Sequence, residues 1–271
     1  MVSKLMKGLV YASSVFTFGM LGYLVIYILI NGVRFLTPSL FSWQYSTSNV
    51  SMMPALMTTL MVVAGTLLIA TPIGVFTGFY LVDYADRKNP VVRAVGMATD
   101  TLAGIPSIIY GLFGMLFFVI FLEFQFSLIA GILTVTIMSL PVIIRATEEA
   151  LIATGMPIRQ ASYALGAGKL RTLFKVVLPV AMPGILSGVI LATGRIVGET
   201  AALMFTLGTA TNLPGSLFAS GRTLSLHMYI LSQEGRHVNE AYATAVVLLV
   251  FVLVINALST LVSKRLAGGG K

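Results

Sequence analysis

An arginine and a glutamate four positions apart, Arg195 and Glu199 in "GRIVGETAALMF", are the only charged residues between Val180 and Leu207. The surrounding stretch is apolar enough to cross a bilayer, where an arginine at a helix centre costs about 2.5 to 3.5 kcal/mol on insertion scales. Two chemistries answer that cost. One is a self-neutralising ion pair, since residues four apart share a helical face. Against it, Arg before Glu is the weaker order, and a buried pair is often no better than apolar residues of the same size. The other is anion recognition, because a guanidinium stays protonated and presents a planar fork of donors that fits phosphate or carboxylate oxygens.

Stepping by threes and fours, Gly188, Ala192, Arg195, Glu199, Ala202 and Thr206 form a strip of small or polar residues opposite bulkier ones such as Leu186, Val197 and Met204. A single helix over 180–207 would turn that strip toward a cavity, and an intramembrane charge facing a cavity reads as part of a pathway. The residues alone therefore propose an anion path, with Arg195 a weak station and Glu199 its resting counter-ion. Thr200 and Thr206 are candidate hydroxyls on that path, although a threonine in a membrane helix commonly bonds its own preceding carbonyl.

The elements that must hold these groups are membrane spans. The chain has 271 residues, 57% apolar and 10% charged, with a mean hydropathy of +0.97. Its long apolar runs suit helices, whereas barrel strands of about ten alternating residues would not produce them. The fold class is all-α integral membrane, with six transmembrane helices expected near 9–32, 54–82, 95–122, 126–144, 180–207 and 241–262. Thirteen of the seventeen basic residues then fall on one side of the membrane and three on the other, with Arg195 inside a span. That asymmetry puts both termini inside. The first span is expected to be retained as an anchor, since its apolar stretch is too long for a secretory signal and lacks a small-residue cleavage pattern. The absence of cysteine excludes disulfides and thiolate metal sites.

Irregularities in the spans suit a bundle that moves. Pro72, Pro106 and Pro141 are expected to interrupt helices. The pairs Gly74/Gly78, Gly184/Gly188 and Gly194/Gly198 would let helices approach closely. Outside the membrane, Trp43 and Tyr45 suit the interface, and "TLSLHMYILSQEG" is expected as a short helix lying along its surface. His227 and His237 in that loop read as solvated rather than metal-binding. Asp83 and Asp86, at an inner helix end, read as capping or solvated groups.

The inner segment 146–178 is too polar to span. Its "GAGK" is no phosphate-cradling loop, because Tyr163 and Leu170 stand where glycine and a serine or threonine are needed. A helix near 157–165, a turn at Gly166 and a basic helix leading to Leu178 and Pro179 fit better. An ordinary basic loop held near anionic membrane lipid is the plainer alternative.

Residues 160–179, "QASYALGAGKLRTLFKVVLP", resemble the EAA loop of ABC importer permeases. Gly166, Leu178 and Pro179 keep its spacing, while Gln160 replaces the glutamate and Ser162 the second alanine. "GIPSIIYGLFG", "LPVIIRATEEAL", "VLPVAMPGILSGVIL" and "GRIVGETAALMFT" extend the similarity over about 50–265, to the PstA-type permeases of phosphate importers rather than to their PstC-type siblings. The resemblance implies an ABC type I importer permease fold. It implies a first span and external segment at 1–49, a permease core at 50–265 and a tail at 266–271.

It also implies partners: a second, PstC-like permease, a PstB-like ATPase dimer that carries the ATP and Mg, and an external PstS-like phosphate-binding protein. This chain would bind no cofactor or nucleic acid, would hydrolyse nothing itself, and would sit in a prokaryotic plasma membrane. Arg159, Gln160, Ala161, Ser162, Tyr163, Ala164, Leu165 and Gly166 would seat in the ATPase groove, and inorganic phosphate would pass Arg195 and Glu199. A PstC-type partner permease and permeases for sulfate or molybdate are the nearest alternatives. A passive anion channel would account for Arg195 but not for the EAA-like loop.

Overall fold

The computed structural model describes residues 2–86 and 88–268, so that Arg87 and the end of the tail from 269 onward lie outside the described residues. Among the described residues every regular element is helical. Helix α1 covers Val2–Val33, α2 covers Met53–Phe79 and continues into a π-helical turn at Tyr80–Tyr84, and α3 covers Pro90–Ala103. Helix α4, Ser107–Gly114, runs on as a π-helical stretch to Phe121, and α5 covers Leu128–Ala153. The inner segment forms α6 (Met156–Ala164) and α7 (Lys169–Thr172), the latter joined by π-helical residues 173–177 to α8 (Leu178–Gly198). The short α9 (Ala201–Met204), the external α10 (Leu224–Glu234) and α11 (Val238–Gly268) complete the chain.

Five helices are long and apolar enough to cross a membrane, and α3 with α4 makes a sixth unit bent by 108°. The span expected over 95–122 is therefore broken, and the interruption falls at Pro106 as expected. Pro106 offers no N–H and its ring blocks helical continuation, so the chain turns at 104–106. The last carbonyls of α3 are satisfied locally, with Thr101 and Leu102 accepting from the Gly104 and Ile105 amides at 3.1 Å each. The Tyr110 hydroxyl donates to the same Leu102 carbonyl at 2.8 Å and clamps the corner. Pro72 and Pro141, by contrast, lie inside the continuous helices α2 and α5.

Helices α2, α5 and α8 form the centre. A Cβ on Gly74 would stand 2.7 Å from an Ile143 methyl, and one on Gly78 would stand 2.7 Å from Thr147 Cβ. On the adjacent face of α5, a Cβ on Gly184 would meet Ala150 at 2.7 Å, and Gly188 abuts Ala146. Glycine lets these backbones meet, and the gain is dispersion contact where lipid offers no hydrophobic drive between helices. Helix α1 touches the rest of the chain through α11, where Tyr27 meets Tyr242 with ring centroids 6.0 Å apart. Most of its apolar surface is exposed, as suits a helix facing lipid.

The external α10 is not a surface helix. Leu224, Leu226, His227 and Leu231 on it are all fully buried. Leu224 and Leu231 pack in one cluster with Leu40, Met52, Ala55 and Ala243, so the external segments fold into a cap on the bundle. Trp43 stays 62% exposed, as its expected interfacial role requires.

Candidate functional site

Helix α8 does not run to 207. It stops at Gly198, Glu199 adopts an extended backbone with ψ 128°, and α9 begins two residues later. The break has a local cause: the Glu199 carboxylate accepts a hydrogen bond from the Ala202 amide at 3.0 Å, satisfying a free N–H at the start of α9. Glu199 is 7% exposed and its carbonyl accepts from Ser225 Oγ at 2.7 Å, tying the break to the external cap. Among the described residues no ion pair joins Glu199 to Arg195. The expected resting pair on one continuous helix is thus replaced by a capped break, because the carboxylate has a backbone donor nearer in the chain.

The small-residue strip also has a different use from the one expected. Gly188 and Ala192 face α5 and α2, with Ala192 buried beside Ala70 and Ile143. Of the three glycine pairs, Gly194/Gly198 alone leaves room: a Cβ on Gly198 would meet nothing within 4 Å, and one on Gly194 would meet only Asn256 Oδ1 at 3.9 Å. Arg195 stands on this open side. It lines a cleft of about 520 Å³ with Ser187, Ile190, Leu191, Gly194 and Asn256, between α8 and α11. None of the ion pairs among the described residues involves Arg195. Asn256 Oδ1 is buried without a hydrogen-bond partner. A cationic fork and a spare amide oxygen thus share one cleft within membrane-crossing helices.

Asn256 was missed in the sequence because a lone asparagine on α11 has no local partner pattern; its meaning comes from the helix opposite. The two threonines take no part in this cleft. Thr206 is fully buried and donates to the Ala202 carbonyl at 2.8 Å, and Thr200 donates to Gly198 at 3.3 Å.

The inner segment folds as a turn and two short helices. Gly166 has φ +81°, its amide donates to Tyr163 at 2.9 Å and the next amide to Ser162 at 3.1 Å. These two bonds close the end of α6 in the left-handed manner that glycine permits without a Cβ clash. Gln160, Ala161, Tyr163, Ala164, Leu165 and Gly166 are exposed, Leu165 at 89%. Arg159 and Ser162 instead point inward. Ser162 bonds Thr172 at 2.8 Å, and Arg159 forms an ion pair with Asp83 at 2.5 Å while donating to the Leu151 carbonyl at 3.1 Å. Asp83 is therefore a buried partner rather than a solvated cap, a relationship 76 residues long that no local motif reveals. Asp86 accepts from the Lys88 amide at 2.9 Å in the loop before α3, whose N-cap is Asn89 rather than Asp86. Leu178 opens α8, and Pro179, which has no N–H to donate, follows directly on the π-helical residues 173–177 inside a helix continuous over Lys169–Gly198.

On the external side, His227 is buried and neither ring nitrogen makes a hydrogen bond. Its expected solvated role does not hold, because α10 packs inward. Burial first, and then the charge of Arg222, push its pKa down to about 3, against a smaller opposing pull from the Val50 backbone. Arg222 lies over the Tyr45 ring at 4.7 Å. His237 instead stands 3.7 Å from the Glu240 carboxylate.

Residues 70–268 match the family described as binding-protein-dependent transport system inner membrane component. A probable ABC transporter permease protein, YqgI of Bacillus subtilis, is 34% identical over 268 residues, covering 89% of each chain. The phosphate transport system permease protein PstA of Mycobacterium leprae is 35% identical over 209 residues, covering 74% of this chain and 68% of that protein. In fold, the chain resembles a chain in a crystal structure of a bacterial alginate ABC transporter in complex with an alginate pentasaccharide-bound periplasmic protein, with a TM-score of 0.72 at 14% identity over 97% of this chain and 95% of that one. A chain of the inward-facing MetNI methionine ABC transporter gives a TM-score of 0.60 at 22% identity, over 79% and 93% of the two chains. The all-helical architecture is the type I ABC importer permease fold, and the chain belongs to the inner membrane component family of binding-protein-dependent transport systems, in its PstA-type branch of ABC permeases.

Proposed function

We propose that this chain is the membrane subunit of an ATP-driven importer of inorganic phosphate in a prokaryotic plasma membrane. It forms the path with a second, PstC-like permease, receives phosphate from an external PstS-like binding protein, and couples through α6 and Gly166 to PstB-like ATPases. ATP and Mg are held on those partner subunits, and this chain carries no cofactor of its own.

The observation that carries the reading is Arg195, a guanidinium without a carboxylate partner among the described residues, inside a membrane-crossing helix and on the open side of α8. A permanent cation there calls for an anion, and a fork of donors suits an oxyanion. The cleft's single cation and short polar lining would bind it weakly, which conduction requires, since a deep trap stalls release. Phosphate rather than another oxyanion is supported by PstA relatives 35% identical to this chain.

Uptake of inorganic phosphate by the reconstituted complex tests it. Arg195→Gln removes the charge and should lower uptake about ten-fold or more, the worth of one charged hydrogen bond, with ATPase subunits still bound. Wild-type uptake in that variant would end the assignment. Preference for sulfate or molybdate in the unaltered complex would keep the path and change the cargo.

A further inference from the structure

We propose that Asp83 is a positioning residue for energy coupling: through Arg159 it fastens α6 to the inner end of α2, so that the inner segment and α2 move as one unit. The inference rests on the family assignment and on geometry, not on the identity of the anion.

Arg159 reaches three elements at once. It starts on α6, bonds Asp83 Oδ1 in the terminal turn of α2 at 2.5 Å, and bonds the Leu151 carbonyl near the end of α5 at 3.1 Å. Its side chain is 10% exposed and that of Asp83 is 9%. Both acceptors sit at helix C-terminal ends, where the backbone dipole already favours a cation. One guanidinium therefore gathers two negative helix ends and pins them to α6. Directly beside it, Phe79 of α2, Leu151 of α5 and Leu173 and Val177 of the inner segment form one buried cluster, so the polar clasp has an apolar backing.

The energetics make the clasp directional. Pulling Arg159 away from Asp83 would leave a carboxylate buried without a counter-charge, which costs far more than a surface pair is worth. Sliding α6 with α2 attached costs nothing of that kind. The exposed side of α6, around Tyr163 and Leu165, is free to follow a partner, while its buried side holds α2. Helix α2 in turn meets α5 through Gly74 and Gly78, so a displacement delivered to α6 reaches the centre of the bundle.

The test uses the assembled complex in proteoliposomes with inorganic phosphate as cargo. Asp83→Asn should keep the wild-type ratio of copurifying ATPase subunits and continue to hydrolyse ATP, while uptake falls about ten-fold or more. Asp83→Glu, which restores the carboxylate, should recover part of the uptake. Uptake by Asp83→Asn within about two-fold of wild type would overturn the proposal, since that is how an exposed pair behaves. A second measurement leaves Asp83 and Arg159 intact and needs no cargo. The chain has no cysteine, so spin labels on Met156→Cys and Tyr80→Cys report the spacing between α6 and the end of α2. That spacing should stay constant when ATP binds. A change on ATP binding would show α6 moving free of α2 and overturn the proposal. A complex that moves no phosphate, yet keeps the spacing constant, would sink the phosphate reading and leave the clasp standing.

Discussion

The Glu199 carboxylate bonds the Ala202 amide at 3.0 Å and makes no ion pair with Arg195. This one bond explains both why α8 ends where it does and why Arg195 is left without a counter-ion. A cap needs an acceptor, not a charge. Glu199→Gln keeps an acceptor oxygen and should leave thermal stability unchanged, whereas Glu199→Ala should cost about 1 kcal/mol, the usual worth of a cap. Thermal unfolding of the purified complex measures both. Equal losses from Gln and Ala would show that the charge itself matters at this position.

The glycines of α8 separate packing from path. A side chain at Gly188 would collide with Ala146, so Gly188→Val should prevent α5 and α8 from seating and cut the yield of assembled complex. Gly198 has nothing within 4 Å, and Gly198→Ala should assemble normally. Its stability should even rise slightly, since a helical glycine costs about 0.5 to 1 kcal/mol relative to alanine. Fluorescence-detected size exclusion of the two variants gives the comparison directly.

These two positions also mark how far a sequence can be read. The spans, the inward bias of charge, the turn at Gly166 and the packing role of Gly74, Gly78, Gly184 and Gly188 were legible, because each depends on local composition or a three-to-four-residue period. What failed was every feature set by a distant partner. Asp83 looked like a helix-end carboxylate until Arg159 folded back onto it. Asn256 carried no signal until α11 lay against α8. Glu199 looked like a helical neighbour of Arg195 because periodicity assumes a continuous helix, and the carboxylate itself helps to end that helix. His227 looked solvated because its segment is polar, whereas α10 buries it beneath Tyr45 and Arg222.

His227 makes the external cap sensitive to acid. Its pKa is about 3 in the folded chain, against 6.5 for a free histidine. A depressed histidine is neutral in the fold and gains a proton on unfolding. Stability is therefore full above pH 6.5 and is lost as pH falls toward 3, by about 2 kcal/mol at pH 5. Hydrogen-exchange protection across 222–234, corrected for the slower intrinsic exchange of amides at lower pH, should fall between pH 7 and pH 5 in the unaltered chain. His227→Phe keeps a ring of similar size against Tyr45 and removes the titration, so its protection should not show that fall. A variant with the same pH dependence as the unaltered chain would place the acid sensitivity elsewhere.

Asn256 offers the sharpest division between stability and transport. Its Oδ1 is buried without a partner, and a buried unsatisfied acceptor carries a desolvation penalty of about 1 to 3 kcal/mol. Replacing it by a similarly sized apolar residue removes that penalty. Asn256→Leu should therefore leave the complex as stable as wild type or more so, and thermal unfolding will show it. If the residue existed only to fill space between α8 and α11, uptake would follow stability. If it serves the cleft that Arg195 lines, the spare acceptor is retained at a cost in stability because transport uses it. Uptake should then fall several-fold, on the order of one neutral hydrogen bond, while the melting temperature holds or rises. A variant that is more stable and equally active would reduce Asn256 to packing, and would leave Arg195 as the cleft's one functional group.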